Sequence, residues 1–124
     1  MIKAIKLLSL FLCLSWQVPA QGVSKSLWIK GMSNKLPAMF CESEQYFRQC
    51  YQVTATKCEE VATSITRICL NKFSSRMPAQ FTTREEGEKW GRIVGQCAGE
   101  GYGRILRKEF INTQKCNDPR AWIR

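Results

Sequence analysis

CESEQYFRQCYQVTATKCEEVATSITRIC, residues 41–69, decides the fold class, and it carries four of the chain's seven cysteines. In its second half Cys58, Val61, Ile65, Ile68 and Cys69 fall on one apolar stripe at three- and four-residue steps. That period predicts a helix from Thr56 to Phe73, with Phe73 extending the stripe. Glu59 and Glu60 near its start and Arg67 and Lys72 near its end suit the helix dipole. In the first half Ser43 is a candidate N-cap with Glu44 in the first turn, and Phe47, Cys50 and Tyr51 share a face. The reading is a helix over Ser43–Gln52, with Cys41 just outside it.

Ser74–Thr82 reads as a loop containing Pro78. Thr83 then opens a capping box with Glu86, and a third helix runs to about Phe110. Its apolar face is Trp90, Ile93, Val94, Cys97, Tyr102, Ile105 and Leu106. Gly87, Gly91, Gly95, Gly99 and Gly103 recur every four residues, with Gly101 added. A glycine inside a helix costs about 1 kcal/mol relative to alanine, so close packing against another backbone is the expected return. The tail contains the turn signal Asn117-Asp118-Pro119 and Cys116, and Ala121-Trp122-Ile123 is expected to pack back onto the helices. Residues 21–35 mix Gly, Ser and Lys and read as a loosely ordered leader with one short turn at Leu27–Ile29. The fold expected is all-α: a small disulfide-stapled bundle of about three main helices with a docked C-terminal tail. It forms one six-cysteine domain over residues 36–124.

Residues 1–20 read as a cleavable secretion signal. Lys3 and Lys6 precede an apolar run from Leu7 to Trp16, and Val18-Pro19-Ala20 predicts cleavage before Gln21. The run is shorter than the ~18–20 apolar residues of a membrane-spanning helix, so the mature chain is expected to carry none. Cys13 lies inside the run, and Leu12 before it is not the small residue a lipidated cysteine needs. Six cysteines remain in the mature chain, an even number that suits an oxidising compartment. The expected location is periplasmic or extracellular, in a bacterium.

The chain holds 19 basic and 10 acidic residues, a net charge of +9, and no histidine. Removal of Lys3 and Lys6 with the signal leaves about +7. Without histidine, serine–histidine and cysteine–histidine nucleophiles are excluded, and the commonest metal ligand is missing. No C-x-x-C, phosphate loop or dinucleotide fingerprint occurs. No catalytic residue, cofactor or metal is expected.

Arg104, Arg107, Lys108, Lys115, Arg120 and Arg124 crowd the C-terminal third, with Trp122 among them. Basic residues interleaved with aromatics suit an anionic partner. The leading reading is a non-catalytic interaction protein of the cell envelope, of inhibitor, immunity or accessory type, binding an acidic protein or anionic envelope component and no nucleic acid. A second reading is a cationic effector acting on anionic lipid or polymer, with Trp122, Ile123 and Trp28 as its apolar patch. The least favoured is a hydrolase using Glu85, Glu86 or Glu88.

Six cysteines permit fifteen pairings, which the residues alone leave open. Eight residues separate Cys41 from Cys50, seven separate Cys50 from Cys58, and ten separate Cys58 from Cys69. This pattern resembles the twin CX9C hairpin of helix–turn–helix proteins, although the spacings are not the strict nine. The resemblance implies Cys50–Cys58 and Cys41–Cys69, leaving Cys97–Cys116 to fasten the tail to the third helix.

Overall fold

A computed structural model describes residues 22–122. The expected signal, Gln21, Ile123 and Arg124 lie outside the described residues. The elements are β1 (Val23–Ser24), α1 (Lys25–Phe40), α2 (Tyr46–Gln49), α3 (Ala55–Phe73), β2 (Gln80–Phe81) and α4 (Arg84–Ile105). Short 3-10 turns occupy Ser74–Arg76, Arg107–Glu109 and Pro119–Trp122. The molecule is the expected all-α bundle of three long helices with three disulfides.

α3 is the central helix, with α1 along one side and α4 along the other. It therefore buries more than one stripe: Ala62 and Thr66 are as inaccessible as Cys58 and Cys69. Thr54 caps it, its hydroxyl accepting from the Lys57 amide at 3.1 Å. Ile68, placed in the stripe from the sequence, is instead 59% exposed. It lies off the arc that α1 and α4 cover.

The first long helix is α1, which overturns the reading of residues 21–35 as a loose leader. The Ser24 hydroxyl accepts from the Leu27 amide at 3.3 Å and starts the helix. Antiparallel pairing of Val23 with Phe81 and Ser24 with Gln80 holds that start in place. Gly22 makes the entry possible: its φ is +68°, and a Cβ there would strike the Phe81 carbonyl. α1 buries Leu36, Pro37 and Phe40, and its Trp28 stacks on Phe81 at 4.6 Å. Gly31 and Pro37 weaken its local signal, and packing against α3 overrides that weakness.

The helix expected over Ser43–Gln52 shrinks to the single turn of α2. Gln45, not Ser43, is its N-cap. The surrounding chain is pinned by side chains: Arg48 donates to the Cys41 carbonyl at 3.1 Å, and Gln49 donates to the Ser43 carbonyl at 2.6 Å.

α4 starts as expected, with the Glu86 amide donating to the Thr83 hydroxyl at 3.2 Å. The Glu86 carboxylate reaches back to the Thr82 amide, one residue before the usual capping-box donor. The helix ends at Ile105, short of Phe110, and Ile105 is 54% exposed where the sequence placed it in the core.

The α4 glycines divide into two groups. A Cβ on Gly101 would overlap the buried Ile65 side chain, and one on Gly99 would press on the Phe47 ring at 3.2 Å. Gly91 and Gly95 have nothing within 4 Å of that position. Gly91→Ala and Gly95→Ala are therefore each expected to stabilise the fold by about 0.4–1 kcal/mol. Gly101→Ala is expected to destabilise it by about 1–3 kcal/mol through overpacking. Urea unfolding of the three variants checks the opposite signs; stabilisation by Gly101→Ala would refute the packing role.

The disulfides are Cys41–Cys58, Cys50–Cys116 and Cys69–Cys97. All three pairs implied by the hairpin resemblance are thus replaced. The physical reason is that residues 41–54 do not form a helix antiparallel to α3. Cys41 instead caps the end of α1 and bonds to Cys58 in the first turn of α3. Cys69 faces α4, the true antiparallel neighbour, and bonds to Cys97. Cys50 is left to receive the tail.

Candidate functional site

The tail does not dock on α4 through Cys97. It runs back beside residues 50–52, where the Ile111 amide donates to the Cys50 carbonyl and the Gln52 amide to the Glu109 carbonyl, both at 2.8 Å. This seats the tail against a cluster of aromatic rings. Phe40 stacks on Phe47 at 4.1 Å, and Tyr102 meets Phe47 and Tyr51 edge-on at 5.0 and 5.1 Å. Tyr102 has no exposed surface, and its hydroxyl donates to the Phe47 carbonyl at 2.8 Å. Burial pushes the Tyr102 phenol up to about 12, although the nearby Arg48 acts in the opposite direction. Burial, followed by the neighbouring Tyr46 hydroxyl, raises the Tyr51 phenol further still.

Trp122 closes the outer end of this cluster. Its indole N–H donates to the Lys115 carbonyl at 3.0 Å, the Lys115 ammonium lies 4.5 Å from the ring centroid, and Tyr46 meets the ring edge-on at 5.6 Å. Two clefts share this indole. One, of about 340 Å³, is polar and lined by Glu42, Glu44, Gln45, Lys115, Ala121 and Trp122. The other, of about 450 Å³, is lined by Tyr46, Phe47, Cys116 and Pro119 together with Gln45 and Trp122.

The residues expected to bind do not all meet at one place. Lys115 and Trp122 come together as described. Arg120 lies nearby in sequence but is exposed and paired with Asp118 at 3.5 Å. Arg104 lines a separate groove between α3 and α4, with Lys72, Phe73, Ile93, Gln96, Cys97 and Glu100. Arg107 and Lys108 project from an exposed 3-10 turn just beyond α4. Arg124 lies outside the described residues. Glu42, Glu44, Gln45 and Tyr46 were not singled out as binding residues. Nothing in the sequence pointed to them as a site, and their meeting with Trp122 depends on Cys50–Cys116.

Glu85, Glu86 and Glu88 sit in the first turns of α4. The Glu86 carboxylate accepts from the Thr82 amide and Glu88 pairs with Arg84 at 2.9 Å, both on the surface. Of the apolar patch expected for a lipid-directed effector, Trp28 is engaged by Phe81 and Trp122 by Lys115 and Tyr46; Ile123 lies outside the described residues. No three potential metal ligands converge among the described residues. No described helix is long and apolar enough to cross a membrane.

Fold and covalent framework together define a small, disulfide-stapled α-helical domain. Residues 22–117 match the family model described as T2SS substrate NttA, and the chain belongs to that family. It is an exported protein. No curated protein and no solved structure matches the chain.

Proposed function

We propose that this is a bacterial protein exported by type II secretion that acts outside the cytoplasm as a non-catalytic interaction protein, binding an acidic partner. The observation that carries the reading is the basic end of α4. Arg104, Arg107 and Lys108 are exposed, and none has a carboxylate partner within 4 Å among the described residues. Cations left uncompensated on a rigid surface are available to steer and hold an anion. The family's description as type II secretion substrates supports the export part of the reading. The absence of histidine and the local duties of Glu86 and Glu88 support a non-catalytic role.

The test is binding of fluorescent poly-L-glutamate, followed by anisotropy at two salt concentrations. The triple variant R104Q/R107Q/K108Q is expected to bind about tenfold more weakly and to lose much of the salt dependence. A control triple, K30Q/K35Q/K57Q, removes the same charge from exposed sites elsewhere and is expected to bind nearly as the parent does. Equal losses in both triples would reduce the effect to net charge and overturn the reading. Binding to anionic vesicles with none to polyglutamate would favour the lipid-directed alternative instead.

A further inference from the structure

We infer that the polar cleft beside Trp122 is a saccharide-binding site that prefers neutral or amino-bearing sugars to acidic ones. The cleft is separate from the basic end of α4, so this inference stands or falls independently of the acidic-partner reading. Its wall is an indole whose orientation is set from several directions: by the hydrogen bond to the Lys115 carbonyl, by the Lys115 ammonium, and by the Tyr46 ring. Cys50–Cys116 anchors the chain that carries it. A held aromatic wall binds at low entropic cost, because little side-chain freedom remains to be lost.

The lining selects the ligand class. Its volume of about 340 Å³ accommodates one or two sugar rings. Glu42 and Glu44 offer only acceptors, Lys115 only donors, and Gln45 both. A polyol matches such a mixed set, with its apolar C–H edge against the part of the indole that the Lys115 ammonium leaves uncovered. A purely apolar ligand would make no use of those groups. A small anion would meet two carboxylates against one ammonium. Neither Glu42 nor Glu44 forms an ion pair among the described residues. Both are therefore free to accept from hydroxyls and to attract an ammonium, while repelling a uronic acid.

The experiment is titration of the isotope-labelled mature protein with three disaccharides: cellobiose, its diamino counterpart and digalacturonate. The indole N–H resonance of Trp122, assigned with Trp122→Phe, is the readout. The expected result is a saturable shift of that resonance with millimolar affinity, in the order diamino, then neutral, then acidic. E42Q/E44Q changes exposed side chains and so tests the site without loosening the tail. It is expected to cut the diamino preference at least fivefold and to leave cellobiose binding nearly unchanged. No shift with any of the three at 20-fold millimolar excess would overturn the proposal. So would a shift spread equally over the other tryptophans, or an order of affinity that E42Q/E44Q leaves intact.

Discussion

Replacing Cys50 and Cys116 together by alanine is expected to lower the unfolding free energy by about 4 kcal/mol, the largest loss among the three disulfides. The bond spans 66 residues of sequence, against 28 for Cys69–Cys97 and 17 for Cys41–Cys58. On the chain-entropy account the longer loop restricts the unfolded chain more, giving about 3.6 and about 3 kcal/mol for the shorter two. For a domain of this size about 4 kcal/mol corresponds to roughly 15–30 °C in Tm. The same variant should free the tail, so the Trp122 indole should lose its protection from hydrogen exchange while α3 keeps its own. Thermal unfolding of the three double variants gives the ranking. A smaller loss for Cys50–Cys116 than for Cys41–Cys58 would show that strain or residual structure, not loop length, governs the stapling. Non-reducing peptide mapping provides a direct check on the pairing itself.

Tyr102→Ala is expected to cost about 3–5 kcal/mol, since it removes a fully buried ring from among Phe47, Tyr51 and Phe40. Tyr102→Phe keeps the ring but leaves the Phe47 carbonyl without its donor, an expected loss of about 1–3 kcal/mol. The difference between the two variants separates packing from hydrogen bonding. The hydroxyl also sets a pH response. Because burial raises the folded-state value from the ordinary 10 to about 12, the folded protein keeps its phenol neutral where the unfolded chain has already ionised. The contribution is therefore fully present below pH 10 and is lost as the pH rises from 10 to about 12. Stability measured by rapid urea unfolding at pH 9, 10 and 11 should fall across that interval, and fall less steeply in Tyr102→Phe. Equal slopes in the two proteins would remove Tyr102 as a source of the alkaline instability.

α3 and α4 were legible because their signals are local. The Val61–Ile65–Cys69 spacing and the Thr83 cap act over one or two turns, whereas the Thr54 cap of α3 came only with the structure. α1 was not legible, because its stability comes from Leu36, Phe40 and Trp28 meeting residues far along the chain. Ile68 and Ile105 show the converse limit. Periodicity assigns a face to a residue, but only the neighbouring helix decides whether that face is covered. The glycines divided for the same reason: Gly101 meets Ile65, whereas Gly91 and Gly95 meet nothing. The reading of residues 1–20 as an export signal and the family's description as secretion substrates point the same way, by independent routes.

From sequence alone came the all-α class, the even set of six cysteines, the positive charge and the expectation of export, because composition, helical period and capping chemistry depend on residues close together in the chain. The pairing of those cysteines, the helix at the mature N-terminus and the joining of Glu42 and Glu44 to Trp122 were decided only by tertiary structure. Each depends on which surfaces pack across long loops, and a disulfide forms only where packing first brings two Cα atoms to about 5.5–6 Å.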